Sequence, residues 1–234
     1  MSRQAPLVLQ RLLEIHSCLE RAALDHAVGG ALALAQYVLP PRGTVDIDIN
    51  VTSDPALPAR LLSELPDAIE IHPGAEDEIR GTGQVRLWWR DDELDTPIDL
   101  FLPQHLIYHQ LVVERATPVD MLGVDMKVLA ATDLMVFKLL YNRTKDWADI
   151  EGLLESGVGD PEEAAQWVTE FVGGDDPRLE RLRGLTDTVQ RPLHPLVRHQ
   201  PAAEPSICAG WISELNKHCV LAARHPGSHA ARDR

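Results

Sequence analysis

The sequence contains no run of about 18 uninterrupted apolar residues, so it predicts no transmembrane helix. Charged residues recur throughout the first 25 positions without a clean apolar stretch, and we therefore expect no signal peptide. Cysteine is scarce, and the three cysteines form an odd set without the spacing of a metal site. This pattern argues against a disulfide-stabilised secreted domain and predicts a cytoplasmic protein with reduced thiols.

Basic residues are also in deficit, with 22 Lys and Arg against 36 Asp and Glu in 234 residues and a net charge of −14. This balance excludes a non-specific nucleic-acid coat protein, which needs a basic surface. The deficit is confined to residues 1–177, whose balance is −18, whereas residues 178–234 have a balance of +4. An acidic body is typical of a site where clustered carboxylates hold a divalent cation, but solubility alone would also favour it.

Hydrophobic periodicity predicts an α+β (α/β) fold, with a small mixed sheet flanked by helices and followed by a C-terminal helical segment. In chain order we expect helix 6–24, strand 26–28, helix 31–39, strand 44–52, helix 56–65, strands 84–90 and 96–102, helix 104–114, a hairpin over 117–128 that turns near Gly123, a helix capped by Thr132, and helices over 146–155, 161–173 and 177–189. These segments divide the chain into a core (1–128), a helical segment that completes a cleft (129–190) and a weakly ordered tail (191–234) with one short helix at 211–223.

Two carboxylates, Asp46 and Asp48, lie one residue apart in the predicted strand 44–52. Side chains at i and i+2 share a face of a strand, so Val45, Ile47 and Ile49 are expected to enter the core while both carboxylates point outward. Two negative charges this close repel unless a cation lies between them, and Mg²⁺ is the usual hard ion in such a pair. A solvated strand face would produce the same spacing.

A third carboxylate, Asp99, lies in the alternating strand 96–102 on the same face as Pro97 and Phe101. If this strand pairs with strand 44–52, Asp99 completes a triad. Three carboxylates can hold two metal ions, or hold one ion and activate a hydroxyl. The alternative is that Asp99 is an ordinary strand residue after the acidic turn 91–95.

Gly29 and Gly30 mark the point where a predicted strand meets a predicted helix. Glycines allow the backbone to approach a ligand closely, and a helix N-terminus offers free N–H groups to phosphate. Arg42 and Thr44 lie in the connection that follows, and Arg42 could contact phosphate. The alternatives are a simple turn for the glycines and a solvated loop position for the arginine.

At this point the chain resembles a known family. The segments VGGALALAQYVLPPRGTVDIDIN and PIDLF are similar to the opening and the third-carboxylate strand of the nucleotidyltransferase superfamily. The segment ATDLMVFKLLYNRTKDWADI resembles the AbiEii/MenT-type, toxin-like branch, which has a helical lysine followed by an Arg-x-Lys-Asp-x-x-Asp-like run. The resemblance covers about residues 24–155.

The resemblance implies a Mg²⁺-dependent enzyme (EC 2.7.7-type) that transfers a nucleoside monophosphate from an NTP to an acceptor hydroxyl. It implies roles for ten residues: Asp46, Asp48 and Asp99 as metal ligands, with Asp99 helping to deprotonate the acceptor; Lys138 as a positive charge facing the triphosphate; and Gly29, Gly30, Arg42, Thr44, Lys145 and Asp146 in nucleotide binding.

The residues of the third block also have plainer interpretations. Lys138 lies among apolar residues, so its stem could be buried with the amine at a cleft, or it could reach the surface of a helix. Lys145 and Asp149 are four residues apart and could merely pair on a helix surface. Asp146 could simply stabilise the start of a helix.

Three functions stay open at this stage. The acceptor could be the 3′ end of tRNA, as in toxin–antitoxin systems, with a cognate antitoxin as partner. It could instead be a small molecule, as in antibiotic-modifying members of the superfamily. A non-catalytic binding or antitoxin partner is the third, although decay would be expected to remove at least one of the carboxylates or Lys138.

Overall fold

The structure is a computed structural model that describes residues 6–92, 94–190, 211–212 and 217–218. Within these ranges it contains nine helices and nine strands, and seven of the strands form one mixed sheet. The strands are β1 (His26–Val28), β2 (Ile47–Val51), β3 (Ile69–Glu70), β4 (Gln84–Trp89), β5 (Thr96–Phe101), β6 (Thr117–Met121), β7 (Val124–Val128), β8 (Trp211–Ile212) and β9 (Lys217–His218).

Along the chain, helices precede, separate and follow the strands of the sheet, and the second half of the chain is mostly helical. They are α1 (Leu7–Arg21), α2 (Gly30–Leu34), α3 (Pro58–Ser63), α4 (Ala75–Thr82), α5 (Leu106–Glu114), α6 (Ala131–Tyr141), α7 (Thr144–Glu155), α8 (Pro161–Val172) and α9 (Pro177–Gln190). The mixed sheet with helices before, between and after its strands confirms the predicted fold class.

The seven-stranded sheet has the order β3-β4-β5-β2-β1-β7-β6. Strand β2 runs parallel to β5 and antiparallel to β1, and β4 runs antiparallel to β5. Strand β1 is parallel to β7, which forms the predicted hairpin with β6. The two strands that carry the predicted carboxylates are therefore neighbours at the centre of the sheet.

The chain divides into two compact units. The first contains the seven-stranded sheet and comprises the chain up to Ala35 together with Arg42–Ala130. The second comprises Gln36–Pro41 and the chain from Ala131 onward, with helices α6 to α9. The three-part division drawn from the sequence stays a prediction.

The core of the first unit lies against one face of the sheet. Ile47, Ile49, Ile98, Leu100 and Leu87 alternate along β2, β5 and β4, and none of them is exposed. They explain why these segments form strands, because β-branched and aliphatic residues at period two give a sheet one fully apolar face. The alternating positions on the opposite face carry the polar residues.

The residues before and at the start of helix α8, in the second unit, explain where this helix begins. Asp160 precedes the helix, and its side chain accepts hydrogen bonds from the N–H groups of Glu162 and Glu163 at 2.9 and 3.0 Å. Pro161 occupies the first helical position, where no N–H partner is needed. The Thr132 hydroxyl accepts from the N–H of Asp160 at 2.9 Å, and Thr132 lies inside α6 rather than at its N-cap.

Two predictions around the first carboxylates are wrong. The helix expected over 31–39 ends at Leu34, because the following residues join the second unit, where Val38 packs against Gly152. The strand expected over 44–52 begins only at Ile47, and Val45 is 46% exposed rather than in the core. A local pattern of alternation does not reveal where a neighbouring strand stops pairing.

Other differences concern short elements. The sequence analysis does not predict strand β3 or helix α4. Strand β3 has only two residues, and α4 is mostly charged, so neither shows a clear hydrophobic periodicity. The helix expected over 211–223 is wrong at Trp211–Ile212 and Lys217–His218, which pair as antiparallel strands. Trp and Ile favour strands when a partner is near. The remainder of the predicted tail lies outside the described residues.

Candidate functional site

A row of charged side chains crosses three neighbouring strands on the polar face of the sheet and reaches the residue that follows a fourth strand. Asp99 on β5 lies directly beside Asp48 on β2, and on its other side directly beside Arg86 on β4. The row continues to Gly29, whose N–H donates to the backbone carbonyl of Asp48 at 2.8 Å. Laterally paired residues in a sheet point to the same face, so the sheet brings these side chains together.

Arg86 and Asp99 form a bidentate ion pair. The Nε of Arg86 donates to one carboxylate oxygen of Asp99 at 2.7 Å, and a terminal nitrogen donates to the other at 2.5 Å. These bonds raise the pKa of the Arg86 guanidinium, and the negative charges of Asp99, Asp46 and Asp48 raise it further. Arg86 therefore lies in the field of all three predicted carboxylates and is a fixed positive charge at their edge.

Each oxygen of Asp99 keeps free coordinating capacity despite this pair. A carboxylate oxygen has two lone pairs, and a bidentate arginine uses one on each. The side chain of Asp99 is 17% exposed, whereas that of Arg86 is 53% exposed. The arginine thus fixes the orientation of Asp99 from the solvent side.

Gly30 is in contact with Asp48. Its φ is +55°, in the left-handed region that favours glycine. A Cβ at this position would lie 1.9 Å from Oδ2 of Asp48, so any side chain would displace the carboxylate. At Gly29, a Cβ would lie 3.1 Å from the amide nitrogen of Asn50 and 3.6 Å from Cβ of Asp48. The absence of a side chain at Gly30 thus provides the space that the carboxylate of Asp48 occupies.

Asp46 lies just before β2, and a turn orders the backbone there. Its N–H donates to the hydroxyl of Thr44 at 3.0 Å. Thr44 is thus a turn residue that positions Asp46, and Arg42 is exposed two residues earlier in the same connection. A role of either side chain in nucleotide binding stays a prediction.

The donor set on this face fits a hard divalent cation. Asp46, Asp48 and Asp99 supply carboxylate oxygens, which Mg²⁺ prefers. Asn50 follows on the same face, and its buried side-chain oxygen has no hydrogen-bond partner among the described residues. All the side chains are partly or fully covered except that of Arg86, and the absence of a side chain at Gly30 gives the carboxylate of Asp48 the space that it occupies.

The predicted lysine block lies in the second unit and forms a buried ion cluster. Lys138 on α6 is 5% exposed, and its ammonium donates to Asp149 on α7 at 2.5 Å. Asp146 lies 4.0 Å from the same nitrogen. The interpretation of Lys138 as a surface lysine is wrong, as is that of Asp149 as a surface partner for Lys145, since Lys138 and Asp149 are both buried.

Asp146 organises the start of α7. Its carboxylate accepts from the backbone N–H of Arg143 at 3.0 Å and from the guanidinium at 2.7 and 3.1 Å. Burial would raise the pKa of Asp146, but these hydrogen bonds more than offset it and the pKa lies below its usual value. Lys145 is exposed. The nucleotide-binding roles of both residues stay predictions.

Sequence reasoning missed Arg86, although a signal was present. The strands 84–90 and 96–102 flank an acidic turn at 91–95, and a tight hairpin over that turn pairs residues whose numbers are symmetric about its centre. The observed register, Gln84 opposite Phe101 through Trp89 opposite Thr96, follows this rule. Centred on residue 93, the predicted turn would place Arg86 opposite Leu100, whereas the observed register is shifted by half a residue and pairs Arg86 with Asp99. The signal therefore locates the partner of Arg86 only to within one position.

No family model matches this chain, and no curated protein matches it either. Among solved structures, the chain is similar to an antigenic nucleotidyltransferase-like protein from Paracoccidioides brasiliensis, with 18% identity, 77% of this chain and 95% of that chain covered, and a TM-score of 0.45.

Two further structures show a similar degree of likeness. The antibiotic-resistance factor ANT(2'')-Ia is 12% identical, covers 70% of this chain and 90% of its own, and has a TM-score of 0.42. JHP933 from Helicobacter pylori is 14% identical, covers 80% of this chain and 92% of its own, and has a TM-score of 0.41. Among the described helices, none combines the length and apolar character needed to cross a membrane.

Proposed function

We propose that this chain is a Mg²⁺-dependent nucleotidyltransferase that transfers a nucleoside monophosphate from an NTP to an acceptor hydroxyl. The observation that carries the proposal is the lateral pairing of Asp48 with Asp99, with Gly30 against Asp48. Two carboxylates held side by side on the polar face, one of them against a glycine position that admits no side chain, favour a site for a metal-bound phosphate over a solvated strand face.

Asp46, Asp48 and Asp99 are the residues that would hold Mg²⁺ in this proposal. The ion would supply neutralisation of the phosphate charge and a fixed orientation of the triphosphate. Like charges on neighbouring strands destabilise a sheet unless cations compensate them, and the single positive charge of Arg86 offsets only part of the three carboxylates. The remaining negative charge favours a bound cation over a solvated strand face.

The residues of the chain position the reactants. The acceptor oxygen attacks the α-phosphorus in line, a new O–P bond forms, the bond to the bridging oxygen of the β-phosphate breaks, and pyrophosphate leaves. The hydroxyl proton passes to a carboxylate oxygen of Asp99, whose second lone pairs are left open by Arg86. Arg86 keeps that carboxylate in one orientation while the proton moves, which favours an in-line approach.

The acceptor that we place first is the 3′-terminal hydroxyl of tRNA, which the resemblance to the toxin-like branch implies. The acidic body argues against broad RNA binding, so recognition would be limited to one RNA end. A small-molecule hydroxyl is the competing acceptor. A cognate antitoxin would be the protein partner only in the first case.

The test is transfer of label from each α-³²P-NTP, with Mg²⁺, to total tRNA or to a panel of aminoglycosides. We expect label on tRNA with at least one NTP, and a loss of at least about 100-fold in Asp48→Asn, the scale seen when one electrostatic contact at a reacting centre is removed. Asp125→Asn on β7 is the matched control, since it makes the same change on an exposed residue of the same sheet, and should retain full activity.

Each other outcome points elsewhere. Label on an aminoglycoside alone replaces the tRNA acceptor and keeps the chemistry. Label on tRNA whose 3′ diol has been oxidised with periodate contradicts the terminal acceptor. If nothing is labelled and calorimetry detects no binding of Mg²⁺-NTP, the enzymatic proposal is wrong and a non-catalytic role replaces it.

A further inference from the structure

Two histidines and a glutamate converge where the end of α1 meets β1. Nδ1 of His16 lies 2.8 Å from Nε2 of His26, and both rings are buried. Glu20 follows His16 by one helical turn and is exposed. One ligand atom from each of the three residues lies within 4.8 Å of the others.

A backbone carbonyl decides which nitrogen of His26 carries a proton. Nδ1 of His26 lies 2.7 Å from the carbonyl oxygen of Leu24. A carbonyl oxygen only accepts, so Nδ1 donates, and Nε2 of the neutral ring presents its lone pair toward His16. Metal-binding histidines typically donate their second N–H to a carbonyl in this way, which fixes the ring and its tautomer.

We propose that His16, Glu20 and His26 form a binding site for one Zn²⁺ ion, separate from the carboxylate row. Two imidazoles and one carboxylate are a common ligand set for zinc, with water in the fourth position. The cation replaces the hydrogen bond between the rings, and the proton on His16 moves from Nδ1 to Nε2. No proton leaves the neutral pair in this exchange.

The required movement is small. Two Zn–N bonds of about 2.0–2.1 Å at a tetrahedral angle place the nitrogens about 3.4 Å apart, against 2.8 Å between these rings. The rings must separate by roughly 0.6 Å. His16 supplies this by a side-chain rotation on α1, while the bond to Leu24 keeps His26 in place.

Nearby acidic side chains favour a cation at these rings and oppose the effect of burial, which is larger and lowers the pKa of His26. Glu20 and Asp25 both lie close enough to interact electrostatically with the imidazole of His26. Glu20 is exposed and can reorient without leaving a buried polar group behind, and its side of the cluster gives water and metal access. Borderline metals such as Zn²⁺ prefer imidazole ligands, whereas Mg²⁺ prefers a carboxylate site.

The proposed zinc site lies at the opposite end of β1 from the carboxylate row. His26 pairs with Val51 and opens the strand, whereas Gly29, beside Asp48, follows its end. Three residues of strand separate them by roughly 10 Å. Zinc would join α1 to the strand that leads to the glycines, so it would stabilise the sheet unit without touching the reaction.

The experiment is competition for Zn²⁺ between a colorimetric chelator and the EDTA-treated full chain, in excess Mg²⁺ to fill the carboxylate row. We expect Glu20→Gln to raise the Kd of one site at least about 10-fold, because losing even an outer-sphere partner of a metal site costs 10–100-fold. Glu20 is exposed, so this variant keeps the fold. Glu14→Gln is the matched control on the same helix and should leave the Kd unchanged.

The tail contains five of the ten histidines and could bind zinc by itself. Zinc binding by the tail is the same in Glu20→Gln and Glu14→Gln, so it does not affect the difference in Kd between these two variants. A second readout is the set of histidine ring signals in long-range ¹H–¹⁵N spectra, in which two buried rings should change on addition of one equivalent of zinc. Equal Kd values for all three proteins, or no change in those ring signals, would overturn the proposal.

Discussion

At the residue scale, Gly30 holds the most constrained position of the proposed active site. Its backbone adopts a φ of +55°, and Oδ2 of Asp48 occupies the space that a side chain would fill. A substitution here has two separable effects: strain from a left-handed backbone and displacement of a carboxylate. Gly123 in the β6–β7 turn has a φ of +84° with nothing near it, so it isolates the first effect.

We predict that Gly30→Ala abolishes detectable Mg²⁺-NTP binding, whereas Gly123→Ala leaves it intact. Both variants should lose about 1 kcal/mol of unfolding free energy from backbone strain. Calorimetric titration with Mg²⁺-NTP and urea unfolding measure the two quantities. Equal nucleotide binding by both variants would show that the position of the Asp48 carboxylate against Gly30 has no part in the site.

At the element scale, the second unit depends on a charged contact between two helices. Lys138 on α6 and Asp149 on α7 are both buried and hydrogen-bonded to each other. A buried ion pair adds little net stability, but removing one partner leaves the other charge buried without compensation. The pair therefore makes the packing of α6 against α7 sensitive to either residue alone.

We predict that Lys138→Met lowers the free energy of unfolding by about 3–5 kcal/mol, whereas Lys145→Met, at an exposed position of α7, changes it by no more than about 0.5 kcal/mol. The double variant Lys138→Met/Asp149→Leu should recover most of the loss, because it removes both members of the buried ion pair. Urea unfolding measures all three.

The double variant also distinguishes a structural role from a catalytic one. If Lys138 faces the triphosphate, as the resemblance implies, the double variant stays inactive in the label-transfer assay although its stability is restored. If the double variant regains activity along with stability, the role of Lys138 is confined to packing. No recovery of stability would contradict the interpretation of Lys138 and Asp149 as buried charges that mainly compensate each other.

At the scale of the whole molecule, buried histidines couple folding to pH. Burial lowers the pKa of His109 on α5, despite an opposing hydrogen bond with the backbone of Val51, and burial lowers the pKa of His26 as well. The folded state therefore holds these rings neutral at pH values where the unfolded chain, with a histidine pKa of about 6.5, takes up protons. The unfolded chain binds more protons below that value, so stability falls as pH falls.

We predict that the free energy of unfolding is constant from pH 8 to about 7 and declines below about 6.5, the ordinary pKa of histidine. His109→Gln should reduce the slope between about pH 6.5 and 5, since one of the two rings is gone. Urea titrations across this range measure the slope. A repeat at high salt, which screens surface charges, should preserve the difference between the two proteins. An unchanged slope in His109→Gln would contradict the prediction.

The amino-acid sequence predicts most elements of the described chain because their signals are local. The hairpin around Gly123 and the helices from α6 to α9 follow from turn residues and hydrophobic spacing within each segment. The helix predicted over 31–39 ends at Leu34, and residues 36–41, which follow it, belong to the second unit, as the contact of Val38 with Gly152 shows. Such an assignment depends on a partner more than 100 residues away in sequence.

The polar face that carries Asp48 and Asp99 was determined by the sequence itself, since alternation at period two is a property of each strand alone. Only the tertiary structure decided which charges meet: Arg86 beside Asp99, Lys138 with Asp149, and His16 with His26. These pairings depend on strand order and helix packing, which bring together residues with no common local pattern. The physical reason is that a side chain's direction is set by its neighbours in the chain, whereas its partner is set by how separate elements bury their apolar faces.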